Sequence, residues 1–84
     1  MPEANKSTIK ELIEYVASAL VDEQKSVKVK ELTKDDYTVM ELSVSTNDLG
    51  KVIGKNGQTA RAIRTLVNAA ASRAGSKIIF EIKE

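Results

Sequence analysis

The chain has 84 residues, 42% hydrophobic and 30% charged, with a net charge of +1. That length is one domain, and the composition is globular, not disordered. It contains no cysteine and no histidine, which excludes a disulfide framework, a thiolate or imidazole metal site and the commonest general base.

Met1 to Lys6 shows no periodicity and is expected to be a flexible start, leaving residues 7–84 as a single domain. Ser7 or Thr8 can cap a helix, and Thr8-x-x-Glu11 fits a capping box. Ile9, Leu12, Ile13, Val16 and Leu20 then follow the spacing of one helical face, which predicts a core stripe. Asp22 to Ser26 is a polar break. Val27-Lys28-Val29-Lys30 alternates apolar and charged residues, the pattern of a half-exposed strand whose lysines suit an edge. A tight turn over Thr33 to Asp36 leads to a second strand, Tyr37 to Ser45, with Met40, Leu42 and Val44 on one face. So short a connection makes the pair an antiparallel hairpin.

Thr46, Asn47 or Asp48 can cap a short helix that ends at a glycine turn. A long helix follows from about Gln58 to Arg73, with Ile63, Leu66, Val67 and Ala70 as its inward stripe and Gly75 as its stop. Ala62, Ala69 and Ala71 fall outside that stripe and permit close helix packing, although helix propensity alone also accounts for them. Lys77 to Lys83 alternates again, with Ile78, Phe80 and Ile82 on one side. The order predicts a two-layer α+β sandwich, one sheet face covered by three helices. If the last strand lies beside the second, a right-handed crossover makes that pair parallel.

The most informative segment is Gly50-Lys51-Val52-Ile53-Gly54-Lys55-Asn56-Gly57. Two glycines three apart allow a sharp turn and the close approach of another backbone. The turn feeds a helix N-terminus, where N–H groups and the dipole favour phosphate, and Lys55 adds a mobile charge. Alone, such a glycine pair is equally an ordinary loop. The charge distribution adds weight to the phosphate reading. Residues 1–48 hold six Lys against ten acidic residues, whereas residues 49–84 hold seven Lys and Arg against two. A basic half that coincides with the turn is what phosphate binding requires.

This segment resembles the KH signature Val-Ile-Gly-x-x-Gly, and the element order α-β-β-α-(GxxG)-α-β resembles the prokaryotic, type II form of the KH fold. With its small size, the chain looks like a member of the KhpA family of small bacterial RNA-binding proteins that consist of one KH domain. The resemblance implies a three-stranded mixed sheet with three helices on one face. It implies single-stranded RNA as ligand, with Gly54, Lys55, Asn56 and Gly57 as a backbone clamp over about four nucleotides. Val52 and Ile53 would floor the groove, pack in the core, or do both. Lys51 and Arg61 would contact phosphate, with Arg64 one turn further out; for Arg61 and Arg64 a solvated helix face is the alternative. The resemblance also implies self-association or pairing with a KhpB protein, which carries a Jag domain and a KH domain. It further implies RNA chaperoning or post-transcriptional regulation, tied to cell elongation and wall synthesis.

Other classes fit poorly. A P-loop needs four residues between its glycines and then Lys-Ser or Lys-Thr, and this turn has neither. A dinucleotide fold needs Gly-x-Gly and a longer βαβ unit. An RRM stacks bases on sheet aromatics, and this chain has only Tyr15, Tyr37 and Phe80. No catalytic residues, metal, cofactor or small-molecule substrate are expected. No stretch approaches the roughly 18 apolar residues of a membrane span, and no run of signal-peptide length opens the chain. A cytoplasmic location without membrane contact is therefore expected. The competing reading is a protein-interaction adaptor for which RNA is incidental.

Overall fold

A computed structural model of the chain describes residues 5–83. The first helix, α1 (Lys6–Leu20), starts before its expected caps. Asn5 is the N-cap: its Oδ1 accepts the Thr8 N–H at 2.9 Å and the Thr8 hydroxyl at 3.1 Å. Asparagine caps as well as serine and better than threonine; with the cap at Asn5, Ser7 and Thr8 fall inside the first turn and neither caps it. Of the segment expected to be flexible, residues 1–4 lie outside the described residues, while Asn5 and Lys6 belong to this cap and turn. Ile9, Ile13, Ala17 and Val21 face the core; Leu20, expected in the stripe, is 38% exposed.

The hairpin forms as the alternation predicts. Strand β1 (Lys28–Thr33) pairs antiparallel with β2 (Thr38–Ser43), placing Val29 opposite Leu42. The Lys34 N–H donates to the Tyr37 carbonyl at 2.8 Å and closes the turn. Strand β3 (Ile78–Ile82) lies parallel to β2, with Phe80 beside Met40, so the sheet order is β1-β2-β3. Val29, Met40, Leu42, Ile78 and Phe80 all project to the face that meets the helices and form one cluster with Ile9, Ile13, Val52, Ile63 and Val67. The sheet is mixed and the class is α+β, as the element order predicts.

Two further helices carry the region of interest. A single 3-10 turn, Thr46–Asp48, leads into α2 (Leu49–Ile53), and a second, Lys55–Gly57, leads into α3 (Gln58–Arg73). Helix α3 packs on β3 along Ile63, Val67 and Ala71, all buried. The expected stripe differs at two places: Leu66 is 51% exposed, and Ala71, expected outside the stripe, is buried. The spacing i, i+4, i+8 presses on the sheet and turns the flank with Ala62, Leu66 and Ala69 outward. Helix α3 ends at Gly75 as expected: Ser76 N–H reaches the Ala71 carbonyl and Gly75 N–H the Ser72 carbonyl, the paired bonds of a Schellman closure.

Candidate nucleic-acid interface

Strand β2 delivers the chain to one pole of the molecule, and α3 carries it back to the other. The glycine turn lies between these passages, at the pole where α1 ends. Helix α2 has five residues, too short to stand alone, and its last bond runs from Gly54 N–H to the Gly50 carbonyl at 2.8 Å. Gly54 then turns sharply with φ +77° and ψ +169°. A Cβ there would press against the Thr59 hydroxyl, 2.7 Å from the Thr59 Cβ and 2.8 Å from its backbone nitrogen. Only glycine satisfies both the angle and the space.

Asn56 and Gly57 follow in the left-handed region, at φ +57° and φ +73°. Asparagine is among the few side-chain-bearing residues that adopt that conformation readily. Gly57 leaves open space where a Cβ would lie, so its requirement is conformational and not steric. Helix α3 starts from Gly57 with no side-chain cap and no acidic residue in its first turn. Its positive end is therefore uncompensated by any neighbouring carboxylate of its own.

Lys55 and Asn56 are exposed at the tip, and Arg61 and Arg64 are exposed on the first two turns of α3. Among the described residues, the only ion pairs are those of Lys51, so Lys55, Arg61 and Arg64 carry no carboxylate partner there. Lys51 is different. Its Nζ donates to Asp22 Oδ2 at 2.5 Å and to Asp48 Oδ1 at 2.9 Å. Val52 is fully buried, and Ile53 is the half-exposed member of the pair. Phe80 is core, and Tyr37 sits before β2 at the pole away from the turn, so neither places an exposed aromatic ring near Gly54.

The residue that sequence reasoning undervalued is Asp48. It holds the N-cap position of α2, but its side chain makes no capping hydrogen bond there. Its side chain is buried, with Oδ2 accepting the Glu23 N–H at 3.0 Å and Oδ1 accepting Lys51. The Lys51 bond, then the Glu23 N–H, hold the Asp48 carboxyl below its ordinary value of 3.8. Asp22, then Asp48, hold the Lys51 ammonium above 10.5. The spacing of Asp48 and Lys51, three apart at a helix start, is a legible signal for a pair. The joining of Asp22 and Glu23 has no local signal.

The KhpA/KhpB KH-domain model matches residues 10–82. The chain belongs to the KhpA/KhpB KH-domain family. Its relatives match it over nearly their whole length. A Clostridium perfringens protein named RNA-binding protein KhpA is 47% identical over 74 residues, 88% of this chain and 99% of that protein. One of the same name from Aquifex aeolicus is 41% identical over 78 residues, 93% and 99% of the two chains. The Chlamydia trachomatis KhpA is 42% identical over 76 residues, 90% and 97%. Among solved structures, a point variant of Aquifex aeolicus Era bound to GDP and AlF4− superposes with a TM-score of 0.60 at 21% identity, over 98% of this chain. The chain spans 31% of that Era chain, and the likeness is one of fold.

Proposed function

We propose that this protein binds single-stranded RNA, with the Gly54-Lys55-Asn56-Gly57 turn as the backbone clamp. The observation that carries the reading is the set of three cations without carboxylate partners among the described residues, Lys55, Arg61 and Arg64. They gather beside an uncapped helix N-terminus and a turn with no Cβ at either end. Phosphate would sit against the turn, with Arg61 and Arg64 following the strand along α3. Ile53 would offer apolar floor to a splayed base, with Val52 supporting it from beneath. The name shared by the relatives, RNA-binding protein KhpA, points the same way. No catalytic step is assigned to the site.

The finer reading follows the family resemblance: a cytoplasmic RNA chaperone or post-transcriptional regulator, linked to cell elongation and wall synthesis. One clamp gives weak affinity, and a second linked site raises it through effective concentration. A homodimer, or a heterodimer with a KhpB-type protein, would supply that site. The exposed Leu66 between Ala62 and Ala69 on α3 also favours the second reading, a protein-interaction adaptor for which RNA is incidental.

Fluorescence anisotropy with a labelled mixed-sequence single-stranded RNA, at several salt concentrations, decides between them. Three phosphate contacts give a log–log salt slope of about −2. The double variant Lys55→Asp, Asn56→Asp should keep its fold, because aspartate also accepts the left-handed region, and should lose binding. Equal binding by both proteins would remove the turn from the site. No binding by either at any salt would move the adaptor reading ahead.

A further inference from the structure

Asp48 is, with Thr38, one of two buried polar residues among those described, and both of its carboxylate oxygens are engaged. Through them, and through Lys51 to Asp22, residues 22–23 at the exit of α1 are tied to residues 48–51 at the entry of α2. The pair joins a buried carboxylate to an ammonium that is 43% exposed, and such a pair adds little net stability compared with apolar packing. What it adds is a defined geometry, and α2 needs one. Five residues cannot hold their own orientation, yet the turn at Gly54 hangs directly from the last of them. The same bonds settle the electrostatics of this wall. Lys51 has two carboxylates against it, so α2 contributes no net positive charge toward phosphate, and the field is left to Lys55, Arg61 and Arg64.

We propose that Asp48 is a positioning residue for the RNA clamp: with Lys51 it latches α2 to the connection between α1 and β1, and Lys51 serves the latch instead of touching phosphate. The inference rests on the RNA reading above for its ligand, but the latch has a readout of its own. Its sign is also distinctive. Removing a negative charge beside an RNA site should tighten binding by electrostatics alone, whereas opening a latch should weaken it.

The test uses Asp48→Asn and Lys51→Met in the full chain, each confirmed folded by circular dichroism. RNA affinity is measured across salt, and backbone amide hydrogen exchange over Lys55–Gln58 is measured without RNA. The latch predicts faster exchange of the turn in both variants, affinity about fivefold weaker, and a salt slope equal to that of the wild type. If Lys51 were a phosphate contact, Lys51→Met would make the slope shallower by about 0.7, and Asp48→Asn would bind as well as the wild type or better. Either result overturns the proposal, as does unchanged exchange of the turn. If the wild type itself fails to bind RNA while exchange rises in the variants, the latch stands and the RNA reading falls. Should Asp48→Asn not fold, Asp22→Asn replaces it, because the Asp22 side chain is 87% exposed and its loss leaves the core untouched.

Discussion

Helix α3 begins and ends on a left-handed glycine, Gly57 at φ +73° and Gly75 at φ +70°, and its two ends differ in what surrounds them. At Gly75 the terminal carbonyls are closed by backbone bonds from Gly75 and Ser76. Strand β3 then starts at once, so this glycine serves the fold. At Gly57 no side chain caps the helix and its first turn holds no acidic residue, while Lys55, Arg61 and Arg64 stand nearby outside every ion pair of the described residues. The same backbone device closes one end and leaves the other available to an anion. What separates a structural glycine from a functional one here is the company it keeps, not its conformation.

The largest effect is expected at Gly54. Gly54→Ala combines a glycine-only backbone region with contact against Thr59, and should cost about 2–3 kcal/mol. Thermal unfolding followed by circular dichroism should show a midpoint lower by roughly 10–20 °C, with RNA binding lost. A variant as stable as the wild type would show that the turn is softer than its geometry implies.

Gly57→Ala and Gly75→Ala separate the roles of the two helix ends. Neither new Cβ meets an atom within 4 Å, so each should cost only the strain of a left-handed alanine, about 1–2 kcal/mol. Their unfolding midpoints should fall by similar amounts. RNA affinity should fall for Gly57→Ala alone, and an equal loss in both would make the effect one of global stability.

A pH series tests the latch beside the open end. Asp48 has a folded pKa below its ordinary 3.8, so its contribution is present above about pH 4 and is lost as acid carries the pH through the folded value. Lys51 has a folded pKa above 10.5, so its contribution is complete below that and lost as pH rises through the folded value. The stability difference between wild type and Asp48→Asn in urea should therefore be level from about pH 5 to 9 and shrink in strong acid. A difference that grows in acid would assign the stabilisation elsewhere.

The smallest effect is expected at Gly50, inside α2, where the conformation is helical and a Cβ meets nothing within 4 Å. Gly50→Ala should stabilise by about 0.5–1 kcal/mol, raising the unfolding midpoint by a few degrees. A fall would mean that α2 depends on freedom at that position.

Much of this molecule is legible in its residue pattern. The alternation in Tyr37–Ser45 and Lys77–Lys83 marks strands, and the apolar spacing in α1 and α3 marks helices, because each pattern is written within a few residues and has one period. The glycine turn is equally local: Gly54 and Gly57 announce backbone angles that other residues avoid. Where expectation and fold part, the deciding partner lies beyond that reach. Asn5 displaces Ser7 and Thr8 as the cap of α1 by a bond that the spacing permits but does not demand. Ile63 and Val67 face inward as their spacing predicts, while Ala71 is buried and Leu66 exposed, because the width of the contact with β3 is set by the neighbouring element and not by the helix period.

The sequence by itself thus determined the elements, their order and the chemistry of the turn, since these depend on neighbours along the chain. Which lysine stays free was only half written along the chain. Asp48, three residues before Lys51, is a local partner that Lys55 lacks, but Asp22 and Glu23 arrive beside Lys51 and Asp48 from another segment and complete the network. Charge interactions, screened in salt water over about 10 Å, become specific pairs only where packing brings the groups into contact, and packing is set by the whole fold.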